Sequence, residues 1–276
     1  MRILVLGAAA VLCACGPGSR DHGSVDAPGG NGDAPPTPDT SRVYAHSGNT
    51  LYRLDATSLQ AVQIGAMAGL GTQSLTDLAI DKDDHMVGIT LDKLFSIDPT
   101  TGAVTLIKDL SQSASGFTSL SFVPSPTDPA ADILVSANDQ GDVFQIDTTT
   151  GTATTIGSYG TTAAGKVISS GDLIGVRGFG IYATVDVGTE AHDYLAKIDP
   201  TNGWKATPLG TGTSYDHIFG LGFWGGKIYG FVDGGASSGT GKIIQIDENT
   251  GASTDLMSSS VRWFGAGVAT DAPIIQ

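Results

Sequence analysis

The chain has 276 residues, 40% of them hydrophobic, with 39 glycines and a formal charge of −14 from 28 acidic against 14 Lys and Arg residues. That length and apolar content suffice for one large or two small folded domains and argue against global disorder. The acidic balance argues against nucleic acid and against adhesion to an anionic leaflet, because both need a basic footprint.

The first residues, "MRILVLGAAAVLCACG", carry one Arg and then an apolar run from Ile3 to Leu12, the pattern of a signal-peptide core and too short for a stable membrane span. Leu12-Cys13-Ala14-Cys15 resembles the lipobox of bacterial lipoproteins, with Cys13 departing from the usual small residue. The resemblance implies a signal peptide over 1–14, lipid attachment at Cys15 and a place in the cell envelope. Gly16, where an Asp would mark inner-membrane retention, favours the outer membrane, on its periplasmic or surface face. Both cysteines of the chain lie here, so the rest has no disulfide, no thiolate nucleophile and no Cys-ligated metal. Residues 15–41 are rich in Gly, Pro, Asp and Ser with Val25 as their one large aliphatic residue, which predicts a disordered tether.

From residue 42 onward a phrase returns: "LYRLD", "LFSIDPTTG", "VFQIDTTTG", "LAKIDPTNG" and "IIQIDENTG", with its Asp at 55, 98, 147, 199 and 247. Spacings of 43, 49, 52 and 48 residues indicate a repeat architecture. Within each period short alternating, β-branched segments are separated by turn residues, and no helical periodicity intervenes. The second period reads as four antiparallel strands (77–81, 85–91, 93–98 and 104–110), one propeller blade, and the next three periods repeat the pattern. The first period (42–65) supplies only three strands, whereas the C-terminus holds one to spare at 263–269. The expected fold is all-β: a five-bladed propeller of four-stranded antiparallel blades over 42–276, closed by the C-terminal strand completing the first blade. Closure removes the exposed edges that invite aggregation.

In this frame the phrase is a turn. Asp98, Asp147, Asp199 and Asp247 are expected to accept turn amides two or three residues on, and Gly102, Gly151, Gly203 and Gly251 to take the positive φ that a side chain resists. The first copy lacks that Gly and predicts a looser turn. The repeats resemble the bacterial LYxID-x-x-TG blades of YVTN, NHL and quinoprotein-like propellers. The resemblance implies fold and is silent on activity, since propellers host enzymes, binders and scaffolds alike. None of Trp204, Trp224 or Trp263 stands where a quinoprotein-type blade ends in Trp, so no quinone cofactor is implied.

Recognisable catalytic motifs are absent. His46, His85 and His192 read as solvated or packed. The turn "DKDDH" (81–85) reads as an acidic hairpin, with a weak Ca²⁺ site as the alternative; no other cofactor is expected. Propeller sites sit at a mouth of the central channel, where aligned repeats place Asp77, Ser119, Asp172, His217, Phe219, Arg262 and Trp263 as candidate ligand contacts. Phe and Trp at such positions also serve to pack blades together. Three readings follow: a non-catalytic, lipid-anchored propeller binding an envelope protein, peptide or glycan; a purely structural envelope protein; or a metal-dependent hydrolase or lactonase. The last requires Asp77, Asp172 and His217 to converge on a cation.

Overall fold

The computed structural model describes residues 42–55, 58–110, 114–128 and 130–275, so the signal peptide, Cys15 and the tether lie outside the described residues. Among the described residues the strands form five antiparallel sheets, each a propeller blade. Blade 1 contains β1 (Val43–Ser47), β2 (Thr50–Leu54) and β3 (Ala61–Ala66). Blade 2 contains β4 (Asp77–Ile80), β5 (Met86–Ile89), β6 (Lys93–Ile97) and β7 (Val104–Asp109). Blade 3 contains β8 (Ser121–Pro124), β9 (Asp132–Ala137), β10 (Asp142–Ile146) and β11 (Ala153–Ser158). Blade 4 contains β12 (Thr161–Thr162), β13 (Gly165–Val176), β14 (Gly180–Val187), β15 (Tyr194–Asp199) and β16 (Lys205–Pro208). Blade 5 contains β17 (Ile218–Trp224), β18 (Lys227–Asp233), β19 (Gly241–Ile246) and β20 (Ser253–Ser259), and β21 (Gly265–Val268) ends the series.

β21 pairs with β1, from Val43↔Val268 to His46↔Gly265, and so supplies the inner strand that blade 1 lacks. The inner strands β4, β8, β13, β17 and β21 touch in succession, and β21 touches β4 again, which closes the ring. Five strands converging on one axis leave little room, and β21 shows how the sequence meets that demand. A Cβ on Gly265 would approach the Nε2 atom of His46 and the Oδ1 atom of Asp77 to 2.5 and 2.6 Å. The apolar core lies between blades. Trp263 is fully buried, with Tyr52 and Phe231 meeting it edge-on at 5.3 and 5.5 Å, and so wedges blade 5 against blade 1.

The repeated phrase forms the turn between the third and outer strands. Gly102, Gly151, Gly203 and Gly251 have φ between +65° and +79°. Asp98, Asp147, Asp199 and Asp247 each accept the backbone N–H two residues on at 2.8–3.0 Å. These hydrogen bonds hold the four carboxyls below the usual carboxylate range; the largest contribution comes from a Thr hydroxyl at Asp98, Asp199 and Asp247, and from the Thr150 amide at Asp147. The turns also dock on the neighbouring blade. A Cβ on Gly65 in blade 1 would collide with the Thr101 carbonyl oxygen of the blade 2 turn.

One expectation is corrected, and one blade carries an added strand. The turn after Asp55 is not looser: the Leu59 N–H donates to the Asp55 carbonyl at 2.7 Å, much as Gly102 does to Asp98 at 2.8 Å. Leu59 itself takes the left-handed conformation, with φ +58°, at a cost of about 1–2 kcal/mol. Its side chain packs on the core between blades 1 and 5, which offsets that cost. Blade 4 is five-stranded, because Thr161–Thr162 pairs with the start of a β13 that is longer than the other inner strands. β13 is also irregular: Ser169 pairs with Val185, but the next pair is Leu173 with Ala183. Three residues, Ser170, Gly171 and Asp172, thus face Thr184 alone. That bulge carries Asp172 onto the axis.

Candidate functional site

The sequence-predicted contacts fall in two layers. The inner layer is buried. Asp77 and Asp172 are both inaccessible to solvent and lie in hydrogen-bonding contact with each other. Asp77 accepts the N–H of Leu78 at 2.8 Å and of Leu120 at 2.7 Å. Asp172 accepts the N–H groups of Leu173, Leu221 and Ala266. Two carboxyls therefore take backbone amides from the inner-strand segments of all five blades. Burial raises the pKa of both, and the charge of Asp172 raises that of Asp77 further, so the pair holds a proton in the neutral range.

Ser119, Tyr159 and His46 complete the buried layer, with His46 Nε2 and the Tyr159 hydroxyl lacking a hydrogen-bond partner among the described residues. Ser119 accepts the Ala137 N–H on its hydroxyl at 2.9 Å, and its carbonyl accepts the Ser136 hydroxyl. The phenol of Tyr159, pushed up by burial, lies beside Ser119. His46 is fully buried with its Nδ1 3.0 Å from the Ser47 carbonyl, and burial lowers its pKa to about 4. His46 and Tyr159 were not singled out from sequence. His46 read as a solvated or packed histidine, and the closing strand sets Gly265 against its ring.

The outer layer is half-exposed and crosses the seam between blades 5 and 1. The ring of His217 lies 5.2 Å from that of Phe219, and Phe219 lies 6.4 Å from Phe264 at an interplanar angle of 13°. The Arg262 guanidinium sits 5.0 Å over Phe264 and is held by two hydrogen bonds to Asp233, at 2.7 and 2.6 Å. Burial works to raise the Asp233 carboxyl, but the hydrogen bonds from Arg262 hold it below its usual range. His217 is a non-glycine residue with φ +64°, and its imidazole lies 3.3 Å from Asp216.

The structure thus brings Asp77 and Asp172 together and leaves His217 apart from them, in the outer layer with Phe219 and Arg262. Ser119 and Trp263 are wholly buried. The "DKDDH" turn is closed on itself: Asp81 accepts the N–H groups of Asp83 and His85 and pairs with the His85 ring at 2.9 Å. Among the described residues no three His, Asp or Glu side chains are grouped as metal ligands.

No protein-family model and no curated protein matches the chain. Solved structures with some likeness include a protein of unknown function from Bacteroides thetaiotaomicron (16% identity, TM-score 0.49, covering 70% of this chain and 54% of that one). Another is a gluconolactonase from Xanthomonas campestris (17%, TM-score 0.41, covering 65% and 60%). A third is a protein of unknown function from Bacteroides caccae (9%, TM-score 0.46, covering 82% and 97%). The chain spans between half and two thirds of the length of the first two. At identities of 9–17% and TM-scores below 0.5, none of their activities attaches to this chain.

Proposed function

We propose that the protein is a non-catalytic binding propeller, held at the cell envelope by a lipid on Cys15 and a tether over 15–41, and most consistent with the outer membrane. Its ligand is an envelope protein, peptide or glycan that meets the His217–Phe219–Phe264–Arg262 ladder. One observation carries the reading. The acidic groups on the axis already accept backbone amides from the inner strands, whereas the aromatic and cationic groups at the mouth keep exposed surface. Aromatic faces beside a fixed guanidinium suit recognition of sugar rings and peptide side chains.

The metal-dependent lactonase is the competing reading, and the position of His217 weakens it. A cation bound between Asp77 and Asp172 would have to displace amide donors from all five blades.

Glycan and peptide arrays probed with the full-length protein test the proposal. The Phe219→Ala/Phe264→Ala variant should lose at least tenfold of whatever signal the wild type gives. Hydrolysis of a sugar lactone that depends on a divalent cation and disappears in Asp172→Asn would instead establish the enzyme.

A further inference from the structure

An open groove of about 810 Å³ lies at the end of blade 4 away from the mouth. The connection from β13 to β14 builds it. Its sequence, Val176-Arg177-Gly178-Phe179-Gly180, alternates bulk with glycines at φ +75° and +142°. Phe179 turns toward blade 5, with its ring 4.4 Å from that of Phe223. Arg177 turns toward blade 3, where its guanidinium donates to the Ala131 carbonyl at 3.0 Å and to the Asp132 carboxylate. Between them a Cβ on Gly178 would meet nothing nearer than the tip of Ile274, at 3.7 Å, so the glycine keeps the groove open. Buried Val176, Ile181 and Ile198 form the floor, and half-exposed Pro124, Phe179 and Pro200 form the walls. Lys197 on β15 completes the lining, between Tyr182 of β14 and Thr207 of β16. Its side chain is exposed, and among the described residues no carboxylate pairs with it. The acidic groups around it are engaged elsewhere. Asp132 holds Arg177, Asp199 accepts the N–H and hydroxyl of Thr201 at 2.9 and 2.7 Å, and Glu248 acts on Tyr182 from blade 5.

We propose that this groove binds a small carboxylate with a short apolar body. A mostly apolar concavity of several hundred cubic ångströms with a few fixed polar groups is the usual form of a small-molecule site. The charge of the ligand follows from the cations present. In a chain where 28 acidic residues face 14 Lys and Arg, an ammonium without a carboxylate beside an apolar wall selects an anion. A phosphate carries more charge and is met by clustered cations or by the planar fork of an Arg. Arg177 already spends hydrogen bonds on Asp132 and Ala131, which leaves Lys197 to receive a single negative charge. The carboxylate then meets Lys197 near the open side of the groove. Its apolar body lies along Phe179, Pro124 and Pro200 and takes their exposed surface out of water. The groove is separate from the His217–Phe219–Phe264–Arg262 ladder, and its ligand does not depend on what the mouth binds.

Saturation-transfer NMR on the full-length chain tests it, with 4-phenylbutyrate as the probe and 4-phenylbutyramide as its uncharged control. The acid should bind with a dissociation constant on the order of 1 mM, roughly threefold or more tighter than the amide. Lys197→Gln, at an exposed side chain, should abolish that preference and leave binding of the amide unchanged. Thr207→Trp, at an exposed position of β16, narrows the groove and should remove binding of both compounds; if that variant does not fold, Lys197→Gln decides. Phe219→Ala/Phe264→Ala should alter neither compound, and loss of binding there would place the probe at the mouth and overturn the groove. The proposal also fails if neither compound binds, if the wild type takes acid and amide alike, if the preference survives in Lys197→Gln, or if folded Thr207→Trp binds as before.

Discussion

The axial pair makes a prediction that separates it from an ordinary buried contact. Replacing Asp77 with Asn leaves an NH2 group where the shared proton lies, so the contact with Asp172 survives. One of the two amides that Asp77 accepts, Leu78 or Leu120, loses its acceptor. An unsatisfied buried donor costs about 1–3 kcal/mol, and that is the expected loss at pH 5. The pH dependence is the sharper signature. A carboxyl whose folded pKa is raised keeps its proton in the folded state while the unfolded chain releases it. Stability then falls as pH rises above the unfolded carboxylate range near 4 and continues to fall until the folded pKa is passed. One retained proton corresponds to about 1.4 kcal/mol per pH unit. His46 acts in the opposite sense, because its lowered pKa costs stability as pH falls from about 6.5 toward 4. The informative quantity is therefore the difference between wild type and Asp77→Asn, in which the His46 contribution cancels. Urea unfolding followed by tryptophan fluorescence, with Trp263 fully buried as the reporter, measures it. The deficit of the variant should shrink by about 1.4 kcal/mol per pH unit between pH 5 and 7. Two parallel stability curves across that interval would refute the shared proton.

Three further outcomes follow from the fold and from the proposed anchor. Gly102→Ala forces a side chain to φ +79° against the Gly65 carbonyl and should cost about 1–2 kcal/mol in the same urea assay; an unchanged midpoint would show that the turn relaxes freely. A chain ending at residue 261 loses β21 and leaves β1 with an unpaired edge, so size-exclusion chromatography should show oligomers or aggregate; a soluble monomer would count against closure through β21. Metabolic labelling with a palmitate analogue should mark the wild type and spare Cys15→Ser, and label persisting in that variant would remove the anchor.

The fold was legible because the repeat writes strand, turn and register together. The spare C-terminal strand could be matched to the incomplete first blade by counting alone, and β21 lies on β1 as that count requires. What sequence could not supply was orientation around the axis. Asp77 and Asp172 were picked out for their positions at the start of inner strands, but nothing local says that they face each other and exclude solvent. Trp263 was placed among the mouth residues with packing between blades as its other reading, and ring closure makes it the wedge between blades 5 and 1. The turn at Asp55 was misjudged for a different reason: a missing Gly predicts a missing left-handed residue, yet core packing holds Leu59 in that conformation.

The place of Asp172 traces to one irregularity. A regular β13 would place one residue between the pairs that end at Ser169 and begin at Leu173, and the chain has three there. The extra length lets Asp172 turn inward, where its N–H donates to the Thr184 hydroxyl at 2.8 Å and its carboxylate takes amides from blade 5 and the closing strand. A repeat protein that only needed a sealed axis could meet that need with small residues, as β21 does with its glycines. Asp172 instead seals the axis with a carboxyl whose pKa burial raises, carried there by the bulge.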